Sequence, residues 1–173
     1  MDTLRQSNGL FWIETRAPGR LAILRRPQSA DALDAVVAEW LVSGIDTVVC
    51  LLADDEVRDL GLEREAEACR EAGLVFIGFP IEDFGVPVSA ARIVPVLQRI
   101  VSALRRGGSV GIHCNQSIGR SGLLASCALV ALGFEPVEAF HVISKSRGMA
   151  VPETAEQRRW VEAAMPALRT LAL

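Results

Sequence analysis

Ser109-Val110-Gly111-Ile112-His113-Cys114-Asn115-Gln116-Ser117-Ile118-Gly119-Arg120-Ser121-Gly122 runs from one apolar stretch through a polar loop into a second apolar stretch. Residues 109–113 have the pattern of a short strand, and residues 114–120 form a loop. Residues 121–132 read as an apolar helix that Gly133 stops. Where a buried strand turns through a loop into a helix, several backbone N–H groups can converge on one point. That point also lies at the positive end of the helix dipole, so it suits an anion.

The flanking sequence repeats the alternation of strand and helix. Phe11-Trp12-Ile13 and Leu21-Ala22-Ile23-Leu24 are two strands about a turn at Pro18-Gly19, and Arg25-Arg26-Pro27 ends the second. Leu33, Val36, Val37, Trp40 and Leu41 recur at helical spacing before Gly44. Residues 47–52 are a continuous apolar run, as in a buried parallel strand. Leu62, Ala66 and Cys69 share the face of a short helix that stops at Gly73, and residues 74–79 are another buried strand, ended by Pro80. Ile93, Leu97, Ile100, Val101 and Leu104 line a longer helix, in which Pro95 predicts a kink or a late start. Residues 135–146 and 152–171 are two further helices. The fold class is therefore α/β, with a mainly parallel central sheet flanked by helices. No repeat or linker divides the chain, so residues 1–173 are expected to form one domain.

Composition narrows the function. Half of the residues are hydrophobic and 23% are charged, enough for a sizeable core. The net charge is -3, which gives no electrostatic case for nucleic acid or an anionic membrane as partner. Cys50, Cys69, Cys114 and Cys127 form no C-x-x-C pair, and with two histidines they assemble no zinc pattern. They are too sparse for a disulfide scaffold. The start at Met1-Asp2 has no apolar stretch behind a basic segment, and the apolar run at residues 123–134 is too short to span a bilayer. A soluble cytoplasmic protein is the expectation.

The loop supplies the chemistry. Composition alone yields about 0.4 cysteine–arginine pairs at this spacing by chance, so the context has to carry the reading. Here the cysteine ends a strand and the arginine opens a helix. The amides that would hold a phosphate also stabilise a thiolate, which makes Cys114 a nucleophile near neutral pH. Arg120 offers a planar fork for two phosphate oxygens. The Ser121 hydroxyl can donate to the sulfur when it leaves.

This segment resembles the signature loop of the cysteine-dependent protein tyrosine phosphatases, and the chain's size resembles their small dual-specificity branch. Phe79-Pro80-Ile81-Glu82-Asp83-Phe84-Gly85-Val86-Pro87 is similar to the general-acid loop of that branch, with Asp83 in the acid's place and Glu82 as a rival. Val151-Pro152-Glu153-Thr154-Ala155-Glu156-Gln157 resembles the segment that brings a glutamine to the site. The three stretches stand in the family's order, and the resemblance covers about residues 10–165.

The resemblance implies a phosphotyrosine or dual-specificity phosphatase acting through a phosphocysteine. Cys114, Arg120, Asp83, Ser121 and Gln157 would be the catalytic set. Asn115, Gln116, Ser117, Ile118, Gly119 and Arg120 would bind the phosphate, with no metal and no cofactor. The substrate would be a phosphorylated protein or a small phosphomonoester. His113 would hold the cysteine's backbone. One departure is Ser117, where the family usually has glycine and an unusual backbone conformation. It motivates the alternative of a catalytically weak phosphate-binding module on the same fold. A sulfur transferase or arsenate reductase is a further rival, disfavoured by Asp83. The places where lipid-directed relatives tend to carry loop lysines hold Asn115, Gln116, Ser117 and Ile118 here, so polyanionic inositol lipids are not the expected substrates. Cys50 is either a core residue or a disulfide partner for Cys114.

Overall fold

The turn at Pro18-Gly19 folds β1 (Leu10–Ile13) back on β2 (Arg20–Leu24) as an antiparallel pair. The computed structural model describes residues 9–172; residues 1–8, read above for a leader, lie outside them. β2 pairs in parallel with β5 (Ser109–His113), β5 with β3 (Thr47–Cys50), and β3 with β4 (Val75–Gly78). The sheet therefore runs β1-β2-β5-β3-β4, mostly parallel with one antiparallel pair. In register, Cys50 lies beside both His113 and Gly78, and Ile23 beside Ile112. The carboxyl ends of the four parallel strands are thus brought to one edge.

The remaining elements are α1 (Leu33–Val42), α2 (Asp54–Asp59), α3 (Glu65–Glu71), α4 (Ala90–Arg105), α5 (Gly119–Ala131), α6 (Pro136–Arg147) and α7 (Ala155–Arg169). Strand residues alternate between two apolar layers. Ile23, Val49, Ile77 and Ile112 face a core built with α4, α5, α6 and α7. Ala22, Leu24, Val48 and Cys50 face a smaller core with α1 and α3, which includes Trp40 and Cys69. Every residue of α5 is buried, so its uninterrupted apolar sequence belongs to the core. Among the described residues, no helix is long and apolar enough to cross a membrane.

Four local expectations change. The strand expected at residues 74–79 is the edge strand β4, Val75–Gly78, in which Val75 is exposed and only Ile77 buried, because among the described residues nothing pairs with its outer side. Pro95 does not delay α4, which starts at Ala90 and continues to Arg105. The proline sits close enough to the start that the carbonyl it leaves without a partner belongs to the first turn. The run at residues 47–52 ends its strand at Cys50, and the chain enters α2 at Asp54, a helix that apolar periodicity did not predict. Leu62 is buried but precedes α3 rather than lying on it.

Candidate active site

Each parallel strand delivers one component to the shared edge. β5 ends at His113 and hands the chain to Cys114, which is 2% exposed. The Cys114 Sγ lies 3.4 Å from the Ser121 Oγ, in the first turn of α5. Arg120 is on that same turn, where the first amides have no helical carbonyl to bond.

After β3, α2 carries Glu56. The Arg120 guanidinium donates from one Nη to Glu56 Oε2 at 2.5 Å and from the other to Glu56 Oε1 at 2.8 Å. The first Nη also donates to the Ile81 carbonyl at 2.8 Å. The Arg120 hydrogen bond holds the Glu56 carboxyl below its ordinary range, against the opposing effect of burial. This fork-to-fork pair fixes the plane of a side chain that is itself buried. Glu56 was missed at the level of sequence. Its one signal was the acidic start Asp54-Asp55-Glu56 after an apolar strand, which equally describes an ordinary helix N-terminus.

After β4 comes the Asp83 loop. Asp83 Oδ1 lies 2.9 Å from the second Nη of Arg120, and the Asp83 side chain is 49% exposed. The Asp83 loop therefore leans over the Cys114–Arg120 loop while keeping its carboxylate in contact with solvent. Phe84, next along, has φ of +57° and is 59% exposed. Its backbone N–H donates to Asp83 Oδ1, closing a small turn. Glu82 forms no hydrogen bond or ion pair with Arg120; its carbonyl accepts from the Gly85 N–H.

Gln157 is fully buried rather than on a helix surface. Thr154 caps α7, with its Oγ1 accepting from the Gln157 N–H and its N–H donating to Gln157 Oε1. Gln157 Nε2 donates to the Gly85 carbonyl of the Asp83 loop at 3.2 Å. A Cβ on Gly119 would come within 3.0–3.1 Å of the Gln157 amide and Glu153 Oε2. Glycine there lets the loop and α7 meet closely.

The rest of the loop is held from outside. Asn115 bridges Arg26 Nε and Glu56 Oε1. Ser117 has φ of +57°, the conformation that favours glycine, and its Oγ donates to the Leu24 carbonyl at the end of β2. Arg147 Nε donates to the Ser117 carbonyl at 2.8 Å. Gln116 is exposed and Ile118 is half-buried.

Behind the loop, His113 Nε2 meets Glu65 Oε1 at 2.6 Å, both groups being buried, and its Nδ1 approaches the Cys114 carbonyl at 3.5 Å. Burial opposes charge on His113, but the Glu65 carboxylate and Cys50 beside it outweigh that and raise its pKa well above the usual value. The ligating atoms of Cys50, Glu65 and His113 lie within 4.8 Å of one another. Glu65 and His113 are already engaged with each other there. Cys50 and Cys114 are both free thiols. A surface groove of about 370 Å³ is lined in part by Thr47 and Val75 at the amino ends of β3 and β4. That is the opposite end of the sheet from these groups, whereas ligands of open α/β sheets bind at the carboxyl ends.

A mostly parallel sheet with this loop between β5 and α5 is the architecture of the cysteine-dependent protein tyrosine phosphatase superfamily, in its small dual-specificity-like form. Residues 24–134 match the family described as "Polymorphic toxin system, DSP-PTPase phosphatase", and the chain belongs to it. A mouse protein tyrosine phosphatase domain-containing protein 1 is 34% identical over 103 residues. That match takes in 55% of this chain but 14% of the mouse protein. Kinase-associated phosphatase with its catalytic-site cysteine replaced by serine superposes with a TM-score of 0.85 at 19% identity, over 95% of this chain and 98% of that one. The active form of Tk-PTP superposes with a TM-score of 0.74 at 28% identity, over 92% of this chain and 98% of that one.

Proposed function

We propose that this protein hydrolyses phosphomonoesters, as a protein tyrosine or dual-specificity phosphatase, through a phosphocysteine intermediate. The observation that carries the reading is the Arg120–Asp83 contact at 2.9 Å, which puts an acid over the loop containing Cys114. The Cys114 thiolate attacks phosphorus, forming the S–P bond as the bond to the leaving oxygen breaks. Asp83 gives its proton to that oxygen. Arg120 and the loop amides hold the equatorial oxygens as charge is redistributed. Water then attacks the phosphocysteine, losing a proton to Asp83, and the sulfur leaves as a thiolate stabilised by the Ser121 hydroxyl. Gln157, locked by Thr154 and tied to the acid loop, orients that water.

The test is hydrolysis of an aryl phosphate by wild type, Cys114→Ser and Asp83→Asn. Cys114→Ser should abolish turnover while retaining phosphate binding. Asp83→Asn should lower kcat by about 10²–10⁴-fold, most for poor leaving groups, and flatten the basic limb of a bell-shaped pH profile. Substantial turnover by Cys114→Ser would overturn the mechanism. If Glu82→Gln shows the acid phenotype and Asp83→Asn does not, Glu82 is the acid.

A further inference from the structure

β4 ends the sheet, and its outer side has no partner among the described residues. The Val75 and Phe79 amides donate to the carbonyls of Asp46 and Cys50, on the β3 side. Successive residues of a strand turn their N–H and C=O groups to alternate sides, so those of Phe76 and Gly78 face the open edge. Val75-Phe76-Ile77-Gly78 carries neither a charge nor a proline to blunt that edge, and Val75 is exposed.

The groove of about 370 Å³ runs beside this edge. Val75 and Ile77 line it from β4, and Pro95, Gln98, Arg99 and Arg106 line it from α4 and its end. From Ala90 to Arg106 the chain has four arginines and no acidic residue. Arg92, Arg99 and Arg106 recur at intervals of seven, close to two helical turns, so they stand in one row. All three are exposed, and none forms an ion pair with a carboxylate of the described residues. Arg106 donates to the Ser102 hydroxyl. Asp46, beside Thr47 of the groove lining, is taken up by the Thr47 hydroxyl and the Ser109 N–H. Like charge therefore faces an apolar, unpaired strand across the groove, in a chain whose net charge is -3.

We propose that this groove docks an extended acidic segment of a protein partner, which adds to β4 as a further strand of the sheet. The outward N–H and C=O groups of Phe76 and Gly78 supply main-chain pairing. Every second side chain of the added strand points toward α4. There Val75 and Pro95 offer apolar contact, and Arg99 and Arg106 select carboxylates. A second copy of the chain fits less well, because a twofold edge-to-edge pair would set both α4 helices on one face of the joined sheet and bring their arginines together. Nucleic acid phosphates would meet the arginines but leave the strand's outward N–H and C=O groups unmatched. The groove lies at the amino ends of β3 and β4, away from Cys114, so the docking site stands independently of the phosphatase reading.

The probe is a fluorescent octapeptide alternating glutamate and valine, titrated with the full chain by anisotropy at low salt. Arg99→Gln combined with Arg106→Gln should weaken binding by about 2–10-fold, and lysine in place of glutamate in the peptide should abolish it. Both arginines are exposed, so the double variant should keep the wild-type urea midpoint, which separates lost docking from lost folding. Two further peptides are N-methylated, one at its glutamates and the other at its valines. Only one of these sets turns its N–H groups to β4, so one peptide should bind about 10-fold or more weakly than the other. Equal affinity of the two methylated peptides overturns strand addition. Unchanged affinity in the double variant overturns the role of the arginines, and no binding at millimolar peptide overturns the docking site. Tighter binding of a single-stranded oligonucleotide of equal charge assigns the groove to nucleic acid, and self-association that the peptide dissolves assigns it to a second copy. Either result overturns the acidic protein segment.

Discussion

Ser117 shows how one side chain can offset a backbone cost. A non-glycine residue in the left-handed region costs roughly 1–2 kcal/mol. Here the hydroxyl recovers part of that by bonding the Leu24 carbonyl, which pins the loop to the end of β2. A buried hydrogen bond contributes on the order of 0.5–1.5 kcal/mol, and a carbonyl left without its partner costs more. Ser117→Ala keeps the strained conformation and loses the bond, so it should destabilise the fold by about 1–2 kcal/mol. Ser117→Gly loses the same bond but relieves the strain, and should fall within about 1 kcal/mol of wild type. Urea unfolding of the three proteins checks the order; an alanine variant as stable as wild type would show that the hydroxyl contributes nothing, and one as stable as the glycine variant that the backbone carries no strain. That Cys114, Arg120 and Ser121 meet was legible in sequence because they lie on one contiguous strand–loop–helix unit. Glu56 was not, because its partner is 64 residues away and only the sheet order brings them together.

Among the elements, α3 and β5 are joined by the buried Glu65–His113 pair. Breaking such a pair by removing one charge costs about 3–5 kcal/mol, since the other is left buried. Glu65→Gln should therefore lower stability by an amount of that order. The pH dependence has a definite sign. The folded-state pKa of His113 is raised above its ordinary 6.5, so the pair's contribution is complete below that value. It is lost as pH climbs through the raised folded value. The stability gap between wild type and His113→Asn, followed by urea unfolding at a series of pH values, should be wide near pH 6 and should narrow at alkaline pH. A gap that widens with pH would mean the histidine is buried neutral. Periodicity located the elements that are buried on a full face, such as α5 and β3. It overstated β4, since an apolar run does not reveal whether a neighbouring strand exists. It missed α2, whose residues include none that are fully buried.

Across the whole molecule, the site is a property of sheet order. Leu24, Glu56, Asp83 and Cys114 are scattered through the sequence, and all follow or end strands whose carboxyl ends the register aligns. The alternation of strands and helices made the parallel sheet legible, but the strand order that sets these neighbours was not. The Asp83–Arg120 contact has a thermodynamic consequence. Of the five N–H donors on a guanidinium, the four on the two Nη atoms meet Glu56, Ile81 and Asp83, which leaves the Nε–H. A phosphate that takes Arg120 as a two-pronged partner must displace Asp83, so the anion and the acid loop are reciprocally linked ligands of one guanidinium. By linkage, whatever weakens the Asp83 contact strengthens phosphate binding by the same factor. Asp83→Asn should accordingly bind orthophosphate or vanadate more tightly, by about 5-fold or more, even as it slows turnover. Glu82→Gln removes the same charge one residue away without touching Arg120, so it should change affinity far less. Equal tightening in both variants would reduce the effect to general electrostatics. With the difference established, each anion that binds Arg120 would free the acid that its own hydrolysis requires.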